Sequence, residues 1–242
     1  MSEKNIIKKR IFFWAALTIT AAAVIIGLIN VNSKPLEPCA SIVESCMPCA
    51  IIDAGHGGID GGAVSPSGTQ EAELNLSISY KIRDIMKLFG INTFMTRYDE
   101  RSLDYDENKS IRENKNADLK ARLRMSSEHM DCDFLSIHLN KFEQSKYRGA
   151  QVFYSPNDPN SELLAVCLQD ALIMYLDNNN KRAAKESHDS VYLMKNIKAP
   201  AVTIECGFLS NPDEEKLLQD DSYQTLIALS ITKGYIDYIK ER

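Results

Sequence analysis

The sequence predicts an α/β fold: a single-domain sandwich whose mostly parallel central sheet is flanked by helices, preceded by an N-terminal transmembrane helix. Three observations lead there. Short β-branched apolar runs alternate with segments whose apolar residues recur at helical spacing, the pattern of strand–helix–strand units. The 242 residues suffice for one substantial domain with an adequate core and leave little for a second. One uncharged stretch of 21 residues, Ile11 to Val31, stands ahead of all of them.

At about 1.5 Å per residue that stretch spans a hydrocarbon core of roughly 30 Å. Residues 1–10 carry Lys4, Lys8, Lys9 and Arg10 and should stay in the cytoplasm, which sends everything after Val31 to the outer side. Residues 11–31 are thus a transmembrane anchor or a signal segment. The length favours an uncleaved anchor, because the apolar core of a cleaved signal runs about 7 to 15 residues. Residues 32–47 are polar, contain Pro35 and Pro38, show no sustained period and read as a linker. Beyond residue 33 the chain holds 24 basic and 32 acidic residues, a formal charge of −8, which argues against a nucleic-acid partner.

The catalytic domain is expected over residues 48–242. Cys49 to Asp53 is a short apolar run ending in glycines, the form of a buried strand entering an active-site loop. Leu74, Ile78, Ile82, Ile85, Met86 and Phe89 then mark a helix from Glu71, with Gly90 as its stop. Strands are expected at Ile91–Thr96, Phe134–Leu139, Ala150–Tyr154, Val191–Met194 and Ala201–Ile204, and helices at Leu119–His129, around Leu163–Tyr175 and at Tyr223–Ile239. Asn211-Pro212 is a helix start, a cap followed by a first-turn proline. Asp99 to Asp118 is dense in charge and reads as a solvated loop, long enough to contact substrate or partner.

In a parallel sheet, active groups gather at the carboxyl ends of strands. His56, His138 and Glu205 fall at or just after such ends, and the first helix brings Glu71 or Glu73 in its opening turn. Catalytic zinc takes three protein ligands from His and carboxylate and leaves one position for water, with a further carboxylate for proton transfer. His56, between glycines, and His138 suit ligation, and Glu205 at the end of a β-branched run must be paired, protonated or functional. His129 and His188 lie in polar surroundings and are not expected to be ligands. Cys206 reads as packing.

The six cysteines are Cys39, Cys46, Cys49, Cys132, Cys167 and Cys206. Cys46-Met-Pro-Cys49 has no second pair to complete a zinc knuckle, which leaves a local disulfide among Cys39, Cys46 and Cys49 open in an oxidising compartment. Glu37 and Pro38 stand where small residues would precede a lipid-modified cysteine.

Asp53-Ala-Gly-His-Gly-Gly58, Gly68-Thr-Gln-Glu71, Thr96-Arg97 with Leu119-x-x-Arg122, Ser136-Ile-His-Leu-Asn140 and Glu205-Cys-Gly-Phe-Leu-Ser-Asn-Pro212 together resemble the zinc-dependent N-acetylmuramoyl-L-alanine amidases of the Amidase_3 type over nearly all of Ala50 to Tyr238. Cys206 departs from the usual Val. The resemblance implies zinc held by His56, Glu71 and His138, selects Glu71 over Glu73, and gives Glu205 the role of base. It implies cleavage of the bond between the lactyl group of muramic acid and L-alanine in peptidoglycan. The single anchor, Gly149-Ala-Gln-Val-Phe-Tyr154 and Val191-Tyr-Leu-Met-Lys195 look like the germination-specific, CwlD-type branch, which prepares spore cortex for muramic-δ-lactam formation. That branch implies an activating lipoprotein partner and an extracytoplasmic location in the spore intermembrane space. A vegetative cell-separation autolysin and a non-catalytic wall-binding protein are the competing readings.

Overall fold

A computed structural model describes residues 47–242. Residues 1–10, the expected membrane segment at 11–31 and residues 32–46 of the expected linker lie outside the described residues, as do Cys39 and Cys46. Among the described residues no helix is long and apolar enough to cross a membrane.

The chain runs β1 (Cys49–Ala54), α1 (Glu71–Leu88), β2 (Asn92–Met95), α2 (Ile111–Glu128), β3 (Asp133–Asn140), β4 (Gln151–Tyr154), α3 (Asn160–Tyr175), β5 (Lys185–Glu186), α4 (Tyr192–Asn196), β6 (Ala201–Phe208), α5 (Pro212–Gln219) and α6 (Asp221–Glu241). The strands form one sheet in the order β2-β1-β3-β6-β4-β5. The first four are mutually parallel, β4 runs antiparallel to β6, and β5 pairs parallel to β4.

Strands covered on both faces need apolar residues at every position, and β1 is buried throughout. Successive side chains serve opposite layers. Ala50 and Ile52 join a large cluster with Ile78 and Ile82 of α1, Leu164 and Leu168 of α3, and Ile231 and Tyr235 of α6. Cys49 and Ile51 join a smaller cluster with Phe134, Leu193 and Met194, against which Leu119 and Leu123 of α2 pack. Each fully buried aliphatic stabilises by about 1.5–3 kcal/mol, so the larger layer dominates the fold's stability. Its helices meet closely: a Cβ on Gly234 of α6 would come within 2.7 Å of the Leu168 backbone.

The structure departs from the sequence expectations at four places. Helix α2 starts at Ile111, inside the charged segment, because Ser110 and Glu113 form a reciprocal capping box. Its inward face buries Asn114, Asp118 and Arg122, so the apolar period that marks a helix is absent. Val191–Met194 is not a strand. Val191 N–H bonds to the His188 carbonyl and the Val191 carbonyl accepts from Lys195, which winds the segment into α4, while the edge position goes to the exposed pair Lys185–Glu186. Glu205 is not at a strand end, because β6 keeps its ladder with β3 as far as Asn140 opposite Phe208.

The fourth concerns the cysteines. Cys49 is bonded to Cys132, 83 residues away, and not to Cys39 or Cys46. β1 and β3 are adjacent and parallel, with Ala50 opposite Asp133, so the residues just before that pair meet at the amino-terminal edge of the sheet. Sequence spacing could not reveal a pairing set by strand register.

Candidate functional site

The loop after β1 places His56 with φ of 60°, a left-handed conformation that a residue bearing a Cβ holds only when its surroundings impose it. Two buried arginines impose it. Arg97 donates to the carbonyls of Ala54 (2.9 Å) and Gly55 (3.0 Å), and Arg122 donates to those of Ala54 (2.8 Å) and His56 (2.6 Å). Arg122 is held in turn by Asp118 and by an ion pair with Asp53. Burial opposes the Asp53 charge, yet Arg122 and hydrogen bonds from Ser136 and Thr96 keep its carboxyl below the usual range. The Asp53 of the glycine-rich motif therefore serves the backbone of the loop.

Glu71 opens α1 and is buried, whereas Glu73, two residues on, is exposed. One oxygen of Glu71 takes four contacts: His56 Nε2 at 3.3 Å, His138 Nδ1 at 3.0 Å, the Leu139 N–H at 3.1 Å and Asn75 Nδ2 at 3.2 Å. Its other oxygen accepts from the Ala63 N–H at 2.8 Å. Burial raises the Glu71 pKa, but the hydrogen bonds with His138 and His56 outweigh it and hold the carboxyl well below the usual range. For His56 burial disfavours the charged ring, and Asp60 and Glu71 overcome this, lifting its pKa to about 9. Asp60 Oδ2 sits 3.1 Å from His56 Nδ1 and so turns Nε2 toward Glu71.

The ligand atoms of His56, Glu71 and His138 lie within 4.8 Å of one another, a set able to hold a metal ion. Two imidazoles and a carboxylate suit a borderline-soft divalent metal, and the Asp60 contact is the outer carboxylate that such histidines ordinarily carry. Space for His138 comes from Gly55, where a Cβ would lie 2.3 Å from the imidazole.

Glu205 stands directly across from His138 in the β3–β6 ladder. Its side chain is half-buried, and its Oε2, shielded from solvent, has no hydrogen-bond partner among the described residues. Burial pushes its pKa up to about 7, with Glu71 adding to the rise and His138 and His56 opposing it. His138 and Glu205 share a cleft of about 490 Å³ that Phe153, Thr203, His188 and Tyr192 also line. A larger groove of about 880 Å³ lies beside Gly58 under residues 97–105, and none of the four predicted side chains lines it.

All four predicted site residues thus stand together. His129 stacks on Phe94 away from the site, and Cys206 is buried, its thiol pushed up chiefly by burial. Sequence reasoning missed the contacts of Asp60 and Asn75 with the set, and His188, not expected to be a ligand, lines the cleft without touching the set. Spacing of four from His56 and from Glu71 was the available signal for the first two.

Residues 50–237 match the family model described as N-acetylmuramoyl-L-alanine amidase. The chain belongs to that family. The Bacillus subtilis germination-specific N-acetylmuramoyl-L-alanine amidase is 37% identical over 192 residues, 79% of each chain. The Clostridioides difficile CwlD amidase, solved in complex with the GerS lipoprotein, superposes on this amidase with a TM-score of 0.78 at 43% identity, covering 81% of this chain and all of that one. A second amidase structure from Clostridium difficile 630 gives 0.69 at 26%, over 81% of this chain and 99% of the other.

Proposed function

We propose that this amidase is zinc-dependent, with His56, Glu71 and His138 as metal ligands and Glu205 as the proton-transfer group, and that it hydrolyses the amide joining the lactyl carbonyl of muramic acid to L-alanine in peptidoglycan. The reading rests above all on one arrangement: two histidines converge on a buried carboxylate oxygen beside a second, half-buried carboxylate that carries one shielded, unpartnered oxygen. Bound at such a donor set, zinc supplies Lewis acidity and lowers the pKa of water toward about 7.

The chain's own residues do the rest. Asp60 fixes the His56 tautomer, and Glu71, ionised at neutral pH, balances part of the metal's charge. Glu205, across the ladder from His138 and with burial favouring its protonated form, is placed to take a proton during attack and return it to the leaving amine.

Three further assignments complete the proposal. The substrate is spore cortex peptidoglycan, in keeping with the germination-specific Bacillus relative. A lipoprotein partner assists the enzyme, as the GerS complex of the C. difficile relative suggests. The domain works outside the cytoplasm, in the spore intermembrane space, tethered by residues 11–31.

Incubation of the purified protein with peptidoglycan, with and without added zinc, tests the core reading by mass spectrometry of released material. The expected products are peptides beginning with L-alanine, abolished by chelation. Glu205→Gln should keep its zinc and lose about 10²- to 10⁴-fold in turnover, the usual contribution of a positioned acid–base group. Turnover undiminished in that variant would overturn the role of Glu205.

A further inference from the structure

The cleft holding His138 and Glu205 contains a third titratable side chain, His188, that neither the metal set nor proton transfer uses. Its loop is fixed at both ends. The Ser187 N–H donates to the Tyr154 carbonyl at 2.8 Å, tying the loop to β4, and Val191 N–H closes a turn on the His188 carbonyl at 3.0 Å before α4 begins. Within that turn the Ser190 N–H donates to His188 Nδ1 at 3.2 Å, and Ser190 Oγ lies 2.8 Å from the same nitrogen. A backbone N–H can only donate, so Nδ1 accepts and the neutral ring carries its proton on Nε2. Among the described residues no protein atom accepts from that Nε2–H. The chain thus presents a pre-oriented donor in the wall of the cleft.

The side of the cleft follows from the chemistry. Under the amidase reading, on which this inference rests, Glu205 returns a proton to the leaving amine, so the departing peptide lies on the side of the site that Glu205 faces. Glu205 faces the 490 Å³ cleft. We propose that His188 is a specificity-determining residue, its Nε2–H donating to a carbonyl or carboxylate oxygen of the stem peptide beyond the first L-alanine. Such a contact persists from bound substrate to transition state, and so acts on KM. It also gives longer stem peptides an advantage over a single alanine.

The test compares N-acetylmuramoyl-L-alanine with an N-acetylmuramoyl tripeptide as substrates of the zinc-loaded full chain and of His188→Ala and His188→Gln. The kcat/KM preference for the tripeptide should fall about five- to tenfold in His188→Ala, through KM, consistent with loss of one hydrogen bond. Gln, which keeps an N–H donor, should restore most of it. An unchanged preference in His188→Ala, or no preference in the wild type, would overturn the proposal. Should the wild type cleave neither substrate, the amidase reading fails separately. Binding of the free tripeptide by calorimetry then decides the cleft: a five- to tenfold weaker Kd in His188→Ala, about the value of one hydrogen bond, supports it, and an equal Kd refutes it.

Discussion

Asp60 Oδ2 lies 3.1 Å from Nδ1 of His56, on the opposite side of the ring from Glu71. The contact fixes the tautomer whose Nε2 lone pair faces the metal set and raises the basicity of the ring. Outer carboxylates of this kind are worth about 10- to 100-fold in metal affinity. Asp60→Asn is therefore expected to weaken zinc binding by about that factor, read by competition with a chromophoric chelator, while far-ultraviolet circular dichroism stays unchanged. Equal affinity in the variant would remove Asp60 from the metal site.

Zinc uptake should depend on pH through the same ring. Burial works against the charged imidazole, but Asp60 and Glu71 carry the metal-free pKa from 6.5 up to about 9. A raised pKa means that the protonated ring stabilises the folded metal-free protein, fully below 6.5 and less as pH climbs through about 9. Metal needs the neutral ring, so a proton must leave when zinc binds. Apparent affinity should rise by up to about tenfold per pH unit between neutrality and about 9, then level off. Calorimetry in buffers of different ionisation enthalpy would report the released proton; buffer-independent heats at neutral pH would contradict it.

What the sequence made legible was the part written in local chemistry. A histidine among glycines and a glutamate closing a β-branched run singled out His56 and Glu205 by local chemistry, whereas His138, in a buried apolar strand, gained weight only beside His56, and the first helical turn offered Glu71 and Glu73 alike. The family motifs then chose Glu71 over Glu73, which the helix dipole alone left equal. Residues whose role exists only across the fold stayed hidden. Arg122 stood in a family motif on an expected helix without a role attached to it, Asp118 read as loop, and the Cys49–Cys132 bond depends on the β1–β3 register. Helix α2 was shortened for the same reason: its buried face is polar, and periodicity detects only apolar faces.

Arg122 is 2% exposed and touches Asp53, Asp118 and the carbonyls of Ala54 and His56. Truncating it would leave buried carboxylates uncompensated, a loss of about 3–5 kcal/mol. Arg122→Met should accordingly lower unfolding stability in urea by about that much. Arg122→Lys keeps charge but cannot span two carboxylates and two carbonyls, and should recover only part. Because the His56 carbonyl loses its anchor, zinc affinity should fall in both variants. A Met variant as stable as the wild type would show that the network is not stabilising.

The Cys49–Cys132 bond joins the beginnings of β1 and β3, the end of the sheet away from His56, His138 and Glu205. It closes a segment of 83 residues that includes α1, β2 and α2, so reducing it releases a long loop in the unfolded chain. The expected stabilisation is about 2–4 kcal/mol. Cys49→Ser with Cys132→Ser should lower the unfolding midpoint correspondingly, and reductant should bring the wild type to the same value without affecting the double variant. Zinc affinity should hold in both, since no metal-set residue touches either cysteine. Non-reducing peptide mapping separates this bond from the nearer alternative. A linked Cys49–Cys132 peptide is the expected product, whereas a Cys46–Cys49 link would mean that chain proximity, and not strand register, governs the pairing.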